Sequence, residues 1–285
     1  MGERSEPATH KVGLGGAVAL SIIAPGLGLV YVGRLRAALV YTVTIIGILA
    51  LAGWSRVVFN PYAVFPVAAI ALSIGLVPII YSARIAYREG KIAARPYNRW
   101  WVYVLWFVAW IFMVEAIVAV RSAWFGFEPL HVPASSMAPT IETGDFIMAD
   151  TWRYDRVDPA FGDLTIFTLA DGSGVKYVKR LVGLPGDTIE IRDDVLIRNG
   201  EAVNEPYIQL MNPEKWSRPF GPVTTPDEHY FMLGDNRNNS LDSRFSSIGY
   251  VHKDQLFGRV EHRWFSFDGG IRWERFPEKF AYDGD

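Results

Sequence analysis

No charged residue occurs from Val12 to Gly33, from Ala37 to Ser55 or from Val57 to Ala83, and Trp100–Val120 carries only Glu115. A helix needs about 20 apolar residues to cross the hydrocarbon of a bilayer. One such run is compatible with a buried helix in a globular core, but a series of them ahead of residue 121 predicts a membrane region, residues 1–124, with segments 12–33, 37–55, 57–83 and 100–120. The first segment exceeds the apolar stretch of a removable signal peptide and lacks a small-residue cleavage site. It is interrupted by Pro25 and by Gly13, Gly15, Gly16, Gly26, Gly28 and Gly33, a pattern that suits a kinked span or a re-entrant loop.

Charge divides the chain at the same place. Residues 1–124 hold 11 Lys and Arg against 4 Asp and Glu, a net of +7, whereas the remainder holds 17 against 26, a net of −9. An acidic half of this kind is a poor nucleic-acid binder, because phosphate affinity needs clustered cations. The absence of cysteine excludes disulfides, thiolate nucleophiles and zinc–thiolate sites. With no His-Glu-x-x-His pattern or clustered ligand set, no metal and no cofactor is expected.

Residues 1–11 read as a mobile polar lead-in. Beyond residue 124 the pattern changes to short β-rich runs separated by Gly, Pro, Asp and Asn: Asp163–Phe167, Lys176–Val182, Thr188–Ile191 and His229–Leu233. Residues 125–285 are therefore expected to form a mainly-β domain. Residues 192–228 read as an insertion: Asn199-Gly200 signals a hairpin, and Pro206, Pro213, Pro219, Pro222 and Pro226 deny the rest a continuous helix or central strand.

Three polar blocks in this half carry chemistry. Ser135-Ser136-Met137 lies between Pro133 and Pro139, Lys179-Arg180 lies in Val175–Asp187, and Gly234–Arg244 is too polar for core. A serine hydroxyl needs a base, and a neutral lysine amine is a recognised one. The amine must lose its proton well below the ordinary lysine pKa of about 10.4, which desolvation achieves. Tyr177, Val178, Leu181, Val182 and Leu184 are candidate walls against water, and the Arg180 charge pushes the same way. Strand alternation sends Lys179 and Arg180 to opposite faces. From the residues alone, Ser135 and Ser136 remain alternative nucleophiles, a solvated lysine remains the bland reading of Lys179, and Gly234–Arg244 reads as a rigid polar loop.

Together the blocks resemble the type I signal peptidases, membrane-bound serine–lysine endopeptidases that cut leader sequences from exported proteins. The resemblance covers roughly residues 128–260. It implies a helical transmembrane region joined to a mainly-β catalytic domain of signal-peptidase type with an inserted β subdomain. It selects Ser136, the residue before the methionine, as nucleophile and Lys179 as general base. Ser240 is implied to hydrogen-bond the Lys179 amine, with Arg180, Asp242 and Arg244 in support. The pattern also has an oxyanion-stabilising serine two positions before the nucleophile, where this chain has Ala134, so the backbone N–H of Ser136 is left as donor, with Ser135 or a water as replacement. Implied partners are signal peptides docking as extended strands, the lipid bilayer and a functional link to the export machinery. The implied location is the cytoplasmic membrane, multi-pass, with the catalytic domain outside.

Other readings are weaker. A Ser-His-Asp enzyme would need His131, and no Gly-x-Ser-x-Gly elbow is present. A self-cleaving repressor needs a DNA-binding domain, and a transporter leaves the β-domain unexplained. A catalytically inactive scaffolding protein descended from a peptidase is the alternative that Ala134 motivates. For topology, the basic loop with Arg84, Arg88, Lys91, Arg95 and Arg99 is expected on the cytoplasmic side, as are Arg34 and Arg36. The first segment either spans, leaving the N-terminus outside, or re-enters around Pro25-Gly26, leaving it inside; the sequence leans to spanning.

Overall fold

A computed structural model describes residues 9–208 and 219–281; residues 1–8 of the lead-in and Pro213 of the expected insertion lie outside the described residues. The chain divides near Phe125–Gly126 into two compact units.

The first unit contains strand β1 (Thr9–Lys11), helices α1 (Leu14–Ile23), α2 (Leu27–Tyr31), α3 (Leu35–Trp54) and α4 (Val64–Glu89), strand β2 (Lys91–Ala93) and helix α5 (Trp100–Phe125). Helix α3, the Ala69–Glu89 part of α4, and α5 are long and apolar enough to cross a membrane. Segment 12–33 is not. At 1.5 Å per residue the ten residues of α1 reach about 15 Å, half a hydrocarbon core. Gly26, at φ 84°, then turns the chain, and α2 folds back along α1. The approach is so close that a Cβ at Gly28 would lie 1.9 Å from Ser21 Oγ. Gly13 N donates to Tyr31 Oη at 3.0 Å, bringing the two ends of the segment together. The first segment is thus a short helical hairpin whose two ends meet, and the fold-back lies around Pro25-Gly26.

Strand β1 pairs antiparallel with β2, and Val12 N donates to Gly90 O at 3.0 Å, so the described N-terminal residues sit at the basic end of α4. A second correction concerns Arg84 and Arg88, which lie on α4 itself and not in a loop. Charge ends an apolar segment, but arginine is a good helix former and does not end a helix.

The second unit contains β3 (Phe127–His131), β4 (Asp145–Asp150), β5 (Leu164–Thr168), β6 (Lys176–Gly183), β7 (Thr188–Arg192), β8 (Val195–Arg198), β9 (Glu201–Ala202), β10 (Phe220–Thr224), β11 (His229–Leu233), β12 (Val251–His252), β13 (Leu256–Ser266) and β14 (Glu278–Lys279). The larger sheet runs β12-β11-β6-β5-β13-β4-β3, with β14 beside β13. Its pairings are antiparallel, and β13 joins β5 to β4 through register shifts that curl the sheet. Met137, Ile141, Ile147, Leu164, Ile166 and Val260 pack into one core.

The smaller sheet runs β10-β7-β8-β9. Asn199 and Gly200 have φ of 56° and 86°, the two positive values of a type I′ turn. Asp193 and Asp194 turn β7 into β8 with positive φ as well, which aspartate tolerates. The smaller sheet begins at Thr188, ahead of the insertion boundary expected at 192. Ile189, Ile191 and Leu196 from this sheet bury against Val182, Phe231 and Leu233 of the larger one.

Candidate active site

Ser136 is held by its neighbours in sequence. Met137 is buried in the core, and Ile141 N closes back onto Met137 O at 2.9 Å, leaving Ser136 half-buried at the rim of a cleft of about 640 Å³. Lys179 comes from the middle of β6, opposite Thr165 of β5. Its Nζ donates to Ser136 Oγ at 2.7 Å and to Val178 O at 3.1 Å. The side chain is only 4% exposed, and burial lowers its pKa to about 8 against the opposing pull of Asp242 and Asp235.

That balance corrects the role given to the Arg180 charge. Its guanidinium lies elsewhere, with Nε and Nη2 on Asp235 Oδ1 and Oδ2 at 2.8 and 2.6 Å and Nη1 on Gly162 O at 2.9 Å. A cation neutralised by a bidentate carboxylate exerts little repulsion on its neighbour. Desolvation alone drives the shift. Of the expected walls, Tyr177 and Val178 line the cleft. Leu181 and Leu184 pack in a separate cluster, and Val182 packs against the smaller sheet. Val175 lines it too, and much of the remaining apolar lining, including Leu130, Val132, Met137 and Ile147, comes from far away in sequence.

The loop after β11 grips the serine segment. Asn236 N donates to Ser136 O at 3.1 Å, Asn236 Nδ2 to Ser135 O at 3.0 Å, and Asn239 Nδ2 to Ser135 Oγ at 3.0 Å. Gly234 passes so close that a Cβ there would lie 2.5 Å from Ser136 O, which no side chain permits. Asp235 accepts from Thr140 Oγ1 at 2.6 Å while holding Arg180. Asp242 accepts from Gly234 N at 3.1 Å and from Arg244 Nε at 2.8 Å, and Arg244 Nη2 reaches Arg237 O at 2.8 Å.

The bond expected from Ser240 to the Lys179 amine is absent, a further correction. Ser240 Oγ is buried without a hydrogen-bond partner among the described residues, crowded against Gly234. Thr140, Asp235, Asn236 and Asn239 carry no assigned role in the sequence; the only signal is that Thr140 follows the Pro133–Pro139 segment and the other three belong to Gly234–Arg244. Ala134, Ser135 and His131 all line the cleft, and His131 packs on Phe146 with ring centroids 4.9 Å apart. Among the described residues no cluster of His, Asp or Glu forms a metal site.

A serine hydroxyl and a buried amine at hydrogen-bond distance have the arrangement that a nucleophile and its base require. The family model for signal peptidase, peptidase S26, matches residues 103–265, more than half of the chain. The chain belongs to the signal peptidase family. It is a serine protease, a hydrolase of signal-peptide processing. Signal peptidase I of Bacillus licheniformis is 38% identical over 170 residues, covering 57% of this chain and 89% of that protein. Signal peptidase I T of Bacillus subtilis (strain 168) is 35% identical over 162 residues, covering 55% and 83%. A crystal structure of a signal peptidase I from Enterococcus faecalis V583 is similar at 33% identity, covering 36% of this chain and 97% of that one, with a TM-score of 0.32.

Proposed function

We propose that this chain is a multi-pass membrane endopeptidase that cleaves signal peptides from exported preproteins, with Ser136 as nucleophile and Lys179 as general base. The observation that carries the reading is the 2.7 Å contact between Nζ and Oγ, with the amine buried and its pKa lowered to about 8. In its neutral form Lys179 takes the Ser136 proton as Oγ attacks the scissile carbonyl. It returns that proton to the leaving amine, and water then releases the acyl group. The Ser136 N–H is the backbone oxyanion donor. Ser135 lines the same cleft, and its Oγ accepts from Asn239, so its own proton stays available as a second donor in place of the missing Ala134 hydroxyl. An extended leader lies along the cleft between residues 130–135 and 175–178.

Helices α3, α4 and α5 anchor the chain, and the basic residues at the α4–β2 end face the cytoplasm. Helix α5 then runs outward and carries residues 126–285 to the extracytoplasmic face, where leaders emerge. The smaller sheet is the inserted subdomain of the family pattern. The deciding experiment is cleavage of a preprotein by purified protein beside Ser136→Ala and Lys179→Ala: both variants are expected to be inactive yet folded. Cleavage by either one overturns the dyad.

A further inference from the structure

Two arginines bind the pieces of this site together, and both are held by a short segment following the smaller sheet's β9. The Arg180 guanidinium, clamped by Asp235, stacks over the Tyr207 ring at 3.7 Å from its centroid. Tyr207 Oη donates to Glu205 Oε1 at 2.7 Å, and Arg237 Nη2 donates to the same oxygen at 2.5 Å. Arg237 Nε reaches Gly234 O at 3.2 Å, in the residue that packs against Ser136 O. The Arg237 and Glu205 side chains are 1% and 3% exposed, so each is the other's replacement for water. Burial and the Glu205 charge push the Tyr207 phenol up, keeping it a donor.

We propose that Glu205 and Tyr207 are positioning residues: they fix Arg180 and Arg237, and through them the Asp235 carboxylate and the Gly234 turn that set the Ser136–Lys179 geometry. The proposal rests on the Ser136–Lys179 reading above. The charged groups acting on Lys179 are Asp235 and Asp242, and His131 and Lys176 line the same cleft. Without the Tyr207 ring, Arg180 loosens and neutralises Asp235 less, and the freer carboxylate charge raises the Lys179 pKa.

The test uses the full chain in detergent with Tyr207→Ala, Tyr207→Phe and Glu205→Gln, reading kcat, KM and the pH profile on a signal-peptide substrate. The Lys179 pKa is measured directly by NMR of lysine-labelled protein. Tyr207→Ala is expected to lower kcat tenfold or more with KM within threefold, and to move both the acid limb and the Lys179 pKa upward by half a unit or more. Tyr207→Phe, which keeps the stacked ring, restores kcat to within threefold and both pKa readings. Glu205→Gln lowers kcat fivefold or more and carries the decision if the alanine variant does not fold. Wild-type kcat and an unmoved Lys179 pKa in Tyr207→Ala or Glu205→Gln, or a phenylalanine variant as impaired as alanine, overturns the proposal. Cleavage by Ser136→Ala overturns the dyad instead, while the NMR titration still decides the positioning role.

Discussion

Thr140 Oγ1 donates to Asp235 Oδ2 at 2.6 Å, and the same carboxylate grips Arg180, so one side chain ties the serine segment to the strand that carries Lys179. Removing Asp235 takes the bidentate carboxylate away from a buried Arg180 cation, whereas removing the Thr140 hydroxyl costs a single neutral-donor bond. Asp235→Ala is expected to destabilise the protein by about 3–5 kcal/mol, and Thr140→Val by about 1 kcal/mol. Thermal unfolding of the two single variants and the double variant checks this, because the double should lose less than the sum. Additive losses would show that Asp235 does not couple the two elements.

The pH dependence follows from the direction of the Lys179 shift. Only the neutral amine accepts a proton, so kcat/KM is expected to fall about tenfold per pH unit below about 8 and to level off above it. Lys179→Arg should be as inactive as Lys179→Ala, because arginine does not deprotonate at usable pH. A profile flat from pH 8 to pH 6 would contradict the assignment of base.

Stability responds to the same residue in the same direction, over a higher pH window. The folded-state pKa is about 8 and the unfolded one 10.5, so the unfolded chain binds more protons between these values. Stability therefore rises with pH across that window, and the full penalty applies below it. At 1.36 kcal/mol per unit the penalty is up to about 3 kcal/mol. Lys179→Met should raise the Tm at pH 7 and lose that advantage as pH approaches 10.5. An unchanged Tm at pH 7 would mean that water reaches the amine.

Ala134 stands at the cleft where a hydroxyl is available by substitution. Ala134→Ser should raise kcat with little change in KM, since a donor aimed at developing charge acts mainly in the transition state. Ser135→Ala should cost about tenfold or more if its hydroxyl is the present donor. Steady-state kinetics on the two variants separates these, and a large loss in Ala134→Ser would show a site built around alanine.

The fold-back of α1 and α2 supports a re-entrant first segment, which makes a topological prediction. Single cysteines introduced at Thr9 and at Ala94 should react with an impermeant thiol reagent from the same side of sealed vesicles, the cytoplasmic one, because β1 pairs with β2. A cysteine at Asp171, in the β-domain, should react from the other side. Labelling of Thr9→Cys and Ala94→Cys from opposite sides would refute the re-entrant reading.

Apolar runs, turn residues and short polar blocks are properties of neighbours along the chain. They sufficed for the helical region, the β character of residues 125–285, the Asn199-Gly200 turn and the family resemblance. The first segment shows where local reading stops. Its length allowed a span, and only the contact of Gly28 with Ser21 and the bond from Gly13 to Tyr31 decided that it returns. The same limit applies at the site. The cleft beside Lys179 is lined in part by Leu130, Met137 and Ile147, which the fold brings from more than 30 positions away. The partner of Arg180 is Asp235, 55 residues on, and that pairing cancels the repulsion its position beside Lys179 suggests. The family motif implies a bond from Ser240 to the amine, yet its hydroxyl lies against Gly234, in a loop that Asn236 ties to the serine segment through its backbone N–H and its side-chain amide. Residue types and spacing determine which chemistry a chain can carry. Burial and pairing between distant strands decide which groups carry it, since a pKa and a hydrogen bond depend on what surrounds a side chain in space.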